Sequence, residues 1–161
     1  MEIFKRVNRS EAGFTMIELM VVVAIIGIVS VLAIPSMGDM IKEYKLRSAC
    51  RGVVSSLQNL KIRAIKENAR TVMIIDPVND RYTIFVDNSP SNWALDAPEL
   101  ISVMDLRGEG LQITSNFASN TFGFNSRGFL DPIIGGTITI TKDATRSKQI
   151  TLNTVGNIRV D

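Results

Sequence analysis

The apolar side chains of this chain follow three different spacings, and each spacing predicts a different element. Residues 14–34 read FTMIELMVVVAIIGIVSVLAI and are apolar on every face, with Thr15, Glu18 and Ser30 as their only polar members. At about 1.5 Å of rise per residue such a helix covers roughly the ~30 Å hydrocarbon thickness of a bilayer, which predicts a transmembrane helix. Beyond Pro35 the pattern narrows to a stripe. Met37, Met40, Ile41 and Tyr44, then Cys50, Val53, Val54, Leu57, Leu60 and Ala64 recur at three- and four-residue steps, predicting a helix that continues to about Asn68 with one buried face. Lys42, Lys45, Arg47, Arg51, Lys61, Arg63 and Lys66 fall mostly elsewhere and read as its solvated side.

From Thr71 the texture turns to short β-branched and aromatic runs. Residues 71–75 and 81–86 predict a hairpin across the turn-forming run Asp76-Pro77-Val78-Asn79-Asp80. A loop is expected over 87–99, then strands over 100–106, 110–114 and 121–124, a turn over 125–128, and an antiparallel pair over 136–141 and 149–152. A last strand ends at Arg159. Strands this short cannot bury both faces alone, and the amphipathic half of the helix supplies one cover. The expected fold class is α+β, with a long N-terminal helix, transmembrane in its first half, packed by its second half on an antiparallel β-sheet head. The segments are 1–13, 14–34, 35–69 and 70–161.

Charge adds orientation. Lys5, Arg6 and Arg9 precede the apolar run, and positive charge there keeps the N-terminus cytoplasmic and sends the C-terminal side across. No small-residue A-x-A site follows the run, as an ordinary secretory signal would require. The net charge of +2 balances 18 basic against 16 acidic residues, so the whole chain carries no general signal for nucleic acid. The single Cys50 excludes an intrachain disulfide and reads as a small buried thiol.

Glu18 is the anomaly. One turn inside the apolar run, an ionised carboxylate costs at least ~2.5 kcal/mol unless something pairs with it. The run Gly13-Phe14-Thr15-Met16-Ile17-Glu18-Leu19, with a basic leader before it and the apolar stretch behind it, resembles the type III signal of type IV pilins and type II secretion pseudopilins. The resemblance implies that a prepilin peptidase cuts between Gly13 and Phe14 and methylates the new amine on Phe14. It also makes Glu18 the family's assembly glutamate, able to meet the Phe14 ammonium of a neighbouring subunit in hydrocarbon, where opposite charges attract far more strongly than in water. Pro35 sits where the family also has a proline. With Gly27 and Gly38 it marks a flexible step or a bend with no mechanical role, since a mid-helix proline removes one backbone hydrogen bond.

The remainder, with Phe122-Gly123-Phe124, Gly128, the Thr-Ile-Thr-Ile run over 137–140 and Gly156-Asn157-Ile158-Arg159, is similar to the GspH/FimT group of minor pilins and pseudopilins. That resemblance implies a minor pseudopilin of type II protein secretion, with a minor subunit of a type IV pilus, active in pilus assembly or DNA uptake, as the alternative. A membrane-anchored ligand-binding domain is a remoter one. The implied partners are other pilin or pseudopilin subunits, the prepilin peptidase, an inner-membrane assembly platform and membrane lipid. The implied location is the bacterial inner membrane, single-pass, with a periplasmic head, followed by a periplasmic pseudopilus or a surface pilus.

Some members of that group bind DNA through a C-terminal Gly-Arg-x-Arg. Here Gly156, Asn157, Ile158 and Arg159 stand at those positions, so the first arginine is missing. Arg127, Lys142, Arg146, Lys148 and Arg159 could still form a basic rim for phosphates, while a solvated hairpin is the plainer reading. An enzyme finds little support. The chain has no His for a Ser-His pair or a common metal site, and no G-x-x-x-x-G-K-[ST] phosphate cradle. Asp76, Asp80 and Asp87 lack the order of a calcium loop. No cofactor and no metal are expected.

Overall fold

The computed structural model describes residues 13–87, 93 and 100–161, with the side chains of 32–36 and of 100 excepted. The expected leader, apart from Gly13, and most of the expected loop over 87–99 lie outside the described residues. By its internal contacts the chain divides into two units, Met1–Met40 and Ile41–Asp161. One helix, α1 (Met16–Glu67), is assigned through both.

In the first unit the described apolar side chains of α1 are open to solvent. Phe14, Met16, Ile17, Leu19, Met20, Val21, Val22, Val23, Ile25, Ile26, Ile28, Val29 and Val31 are all exposed. Its polar groups close on the helix itself, for Ser30 Oγ donates to the Ile26 carbonyl at 2.7 Å. Among the described residues no helix is long and apolar enough to cross a membrane. The described part of the expected span ends at residue 31, because the side chains of 32–36, Pro35 included, lie outside the described set.

In the second unit α1 does present one buried stripe, made of Leu46, Ala49, Cys50, Val53, Leu57, Leu60 and Ala64. The stripe begins later than its spacing predicts, since Ile41 and Tyr44 are exposed, as are Met37 and Met40 in the first unit. Leu46 and Ala49 take up the first buried turn instead. Lys61 also departs from the solvated side, donating from Nζ to the Gly156 carbonyl at 2.8 Å. The helix stops where Asn68 enters the left-handed region at φ 49°. The Ala69 N–H then returns to the Ala64 carbonyl at 3.2 Å, the six-to-one bond that satisfies a last-turn acceptor.

The strands are β1 (Arg70–Asp76), β2 (Arg81–Asp87), β3 (Leu100–Asp105), β4 (Gln112–Ser115), β5 (Thr121–Phe124), β6 (Leu130–Asp131), β7 (Gly136–Asp143), β8 (Arg146–Leu152) and β9 (Ile158–Val160). They form two antiparallel sheets, ordered β3-β2-β1-β5-β6 and β4-β7-β8-β9, where the sequence suggests a simple meander. The difference arises at β1, which pairs with its sequence neighbour β2 on one edge and with the distant β5 on the other. The Asp76 turn works as expected, its Oδ1 accepting from the N–H groups of Val78 and Asn79 at 3.2 and 3.1 Å. β8 starts three residues earlier than predicted, because Asp143 and Arg146 close a tighter hairpin. One core joins the α1 stripe to both sheets, with Met73, Tyr82, Phe122, Phe124, Ile138 and Ile150 among its fully buried side chains. Each such Leu, Ile or Phe removed from water contributes about 1.5–3 kcal/mol.

Candidate assembly site

The polar residues at the start of α1 hold one another. Thr15 precedes the first helical residue, and its backbone N–H and its Oγ1 both donate to Glu18 Oε2, at 2.9 and 3.0 Å. The Glu18 N–H donates back to Thr15 Oγ1 at 3.3 Å. This is a reciprocal capping box, in which a Thr before the helix and a Glu three residues on satisfy orphan backbone donors that the first turn otherwise leaves unpaired. The sequence carries the signal as Thr15-x-x-Glu18, but reading the pair as a charge seeking an outside partner passed over Thr15. Both intrachain bonds end on Oε2, so among the described residues Oε1 accepts no hydrogen bond. Phe14, one residue before the box, is 89% exposed, and Gly13 is exposed as well. Gly13 and Phe14, the expected processing pair, and the acid Glu18 are thus gathered at one solvent-open helix end. The apolar run behind them is exposed on all sides, as surfaces that later meet lipid or protein are.

Pro35 lies within the backbone of α1, which is assigned without a break across it. Its side chain is outside the described set.

Three of the basic residues expected at the rim are engaged close by. Arg146 NH1 pairs with Asp143 Oδ2 at 2.6 Å, and Arg159 Nε with Asp161 Oδ1 at 2.9 Å. Lys142 Nζ donates to the carbonyls of Glu109 and Gly110 at 2.6 and 3.0 Å. Alternation along the strands separates the rest. Val160 is opposite the buried Ile150, which shares a face with Lys148, so Arg159 points to the other side of the sheet. Lys148 itself lines a groove with Arg47 and Arg51 of α1. The Thr145 hydroxyl and backbone N–H donating to it, and after them Arg146, hold the Asp143 carboxyl at about 2. Burial pushes the Cys50 thiol up, against the opposing pull of the Lys148 charge.

One polar cluster has no counterpart in the sequence reading. Arg70 reaches Asp131 Oδ2 from Nε at 2.9 Å and Asp87 Oδ2 from NH1 at 3.4 Å, and its guanidinium lies 4.4 Å from the centre of the Trp93 ring. It fastens β1 to β2 and β6, and its planar fork and delocalised charge suit the two carboxylates and the ring together. Asp87 stands opposite Arg70 in the β1–β2 hairpin, but nothing in the spacing announces Asp131, which arrives because β1 pairs with β5 and β5 with β6.

Residues 8–34 match the family model described as a prokaryotic N-terminal methylation motif, and residues 49–156 match the one described as type II transport protein GspH. The chain is 45% identical over 78 residues to a type IV major fimbrial protein FimA of Dichelobacter nodosus, covering 48% of this chain and 45% of that protein. It is 39% identical over 79 residues to a fimbrial protein of Pseudomonas aeruginosa, covering 47% and 49%. The chain thus spans about half the length of the curated relatives it matches. The minor pseudopilin EpsH from the type 2 secretion system of Vibrio cholerae is similar in structure, with a TM-score of 0.57 at 18% identity over 72% of this chain and 95% of that one. The type IV minor pilin FimU of Pseudomonas aeruginosa gives 0.59 at 19% identity over 73% and 89%. At those identities the likeness shows the fold, a long N-terminal helix followed by an antiparallel sheet head.

Proposed function

Because the chain belongs to the GspH family of type II transport proteins, whose model spans residues 49–156, we propose that it is a minor pseudopilin of a type II secretion filament. It is made as a membrane precursor, cut between Gly13 and Phe14 by a prepilin peptidase, methylated on Phe14, and delivered by an inner-membrane assembly platform into a periplasmic pseudopilus. The family consists of structural subunits rather than enzymes, and the chain's own groups act in binding and alignment.

The observation that carries the reading is the polar start of α1, set at the head of an apolar stretch whose described side chains are exposed. Thr15 satisfies one oxygen of Glu18 from within the chain and leaves Oε1 uncommitted. Cleavage after Gly13 would create an ammonium on Phe14, and in a stack of such helices the ammonium of one subunit reaches the open Oε1 of the next. In hydrocarbon that attraction offsets much of the burial cost of both charges, and only one axial offset between neighbours achieves it. Thr15 fixes the carboxylate in place for this contact, and Pro35 gives the helix its bend point. DNA has no part in this reading, since the head's cations are divided between separate faces.

Mass spectrometry of the membrane-extracted protein tests the processing step. The expected species begins at Phe14 and carries one methyl group on its amine; recovery of residues 1–13, or cleavage beyond residue 34, refutes it. Glu18→Ala should insert normally yet fail to co-purify with other filament subunits, and co-purification equal to that of the native chain would remove the pairing argument. The fimbrial relatives favour a second reading, a minor subunit of a type IV pilus. Deleting the gene separates the two, because loss of protein secretion with pili intact supports the pseudopilus and the reverse supports the pilus.

A further inference from the structure

Strand β9 is the last strand of its sheet, and its outer edge is open among the described residues. Its hydrogen bonds to β8 fall on alternate residues. The N–H and C=O of Asp161 exchange with Gln149, and Asn157 C=O accepts from Asn153 N–H. The antiparallel ladder therefore places residues 157, 159 and 161 in the bonded pairs and turns the backbone N–H and C=O of Ile158 and Val160 outward. Below that edge lies a groove of about 350 Å³ lined by Cys50, Val54 and Val160, with Arg47, Arg51 and Lys148 at its margins. Arg47 is committed to Glu43 at 2.8 Å. Arg51 and Lys148 carry no ion pair among the described residues, so two cations face an apolar trough with their charge unspent.

We propose that this edge and groove receive an extended segment of a partner protein, which adds a fifth strand beside β9 with apolar side chains at alternate positions and an acidic one at the end facing Arg51 and Lys148. The outward N–H and C=O groups of Ile158 and Val160 supply the ladder bonds, the Cys50/Val54/Val160 floor takes the alternate side chains, and the two cations select the acidic end. An isolated lipid or fatty acid would use the floor and the cations but leave the strand edge unpaired. The site lies wholly in the head and stands apart from the processing of residues 13 and 14, so its failure leaves that assignment untouched.

Fluorescence anisotropy of the full chain in detergent micelles, with a labelled Thr-Val-Thr-Val-Thr-Glu-Thr peptide, provides the test. Saturable binding is expected, weakened about tenfold or more when lysine replaces the glutamate or when the chain carries Arg51→Glu or Lys148→Glu. Val160→Pro removes an outward N–H that β8 does not use, so it should keep the thermal melt and lose the peptide. Should Val160→Pro unfold the head, Arg51→Glu, on the exposed side of α1, still tests the site without touching the sheet. Equal binding to the charge-reversed variants, or binding that survives Val160→Pro in a folded head, overturns the proposal. So does a peptide that fails to bind while phosphatidylglycerol vesicles bind in an Arg51-dependent way, or while the chain pairs with itself in a Val160-dependent way.

Discussion

Val21 and Leu57 are apolar residues in one helix, yet Val21 is 53% exposed and Leu57 is fully buried. Around Val21 every face is apolar and the described side chains of that unit are exposed, while around Leu57 the apolar residues keep to a stripe that two sheets cover. The difference teaches that apolar content sets how much surface must leave water, whereas its angular distribution sets whether the chain itself can do the covering. A stripe roughly a third of the way round can be capped by a sheet. An all-round surface needs a bilayer or other helices, and α1 supplies both kinds in succession.

The sharpest break in that comparison is Gly123→Ala. A Cβ at Gly123 would stand 1.8 Å from the Thr71 carbonyl oxygen, so β1 and β5 cannot both keep their places. The cooperative thermal transition of the head should disappear while the protein still partitions into membranes, and an unchanged melt would show that the sheet yields easily. Next come paired truncations on the two surfaces. Leu57→Ala should cost the head about 2–5 kcal/mol by denaturant unfolding, and Ile25→Ala less than about 0.5 kcal/mol, since only the first leaves a cavity. Similar losses from both would abolish the distinction. A smaller effect belongs to the helix start, where Thr15→Val removes the hydroxyl of the capping box at a cost of about 1 kcal/mol. Hydrogen exchange at the Glu18 amide should speed up several-fold in that variant and return to normal in Thr15→Ser.

The smallest effect is a pH dependence in the hairpin between β7 and β8. Asp143 is held at about 2 in the folded chain against an ordinary value near 3.8. The unfolded chain therefore binds the extra proton first on acidification. The stabilisation is full above the ordinary carboxylate range and drains away as pH falls from about 4 towards 2. Asp143→Asn should lower the neutral melting point slightly and flatten that part of the acid melting curve, and a curve unaffected by the substitution would show that the Thr145 and Arg146 contacts do not reach stability.

Much of this was legible in order along the chain. The helix end at 67–68, the Asp76 turn, and the strands at 71, 81, 121 and 136 follow from local spacing and turn chemistry, which act over a few residues. What escaped depends on distance. The division into two sheets rests on β1 meeting β5, and the reach of Arg70 to Asp131 follows from that same meeting, whereas Asp87 lies opposite Arg70 in the local hairpin. The plainer reading of the basic residues, a solvated hairpin, rests on Asp143 and Asp161 standing within three residues of Arg146 and Arg159, and those are the pairs that form. The buried stripe began at Leu46 because periodicity alone does not say where a covering sheet starts. At the assembly site Gly13, Phe14 and Glu18 were readable from their motif, whereas Thr15 needed the same four residues to be seen as a helix start.

The approach of Gly123 to the Thr71 backbone also dictates a schedule for synthesis. The hairpin of β1 and β2 can close soon after it leaves the ribosome, but the other side of β1 stays uncovered until the chain reaches Phe124. A copy that ended in that interval would leave that side of β1 without the ladder that β5 supplies.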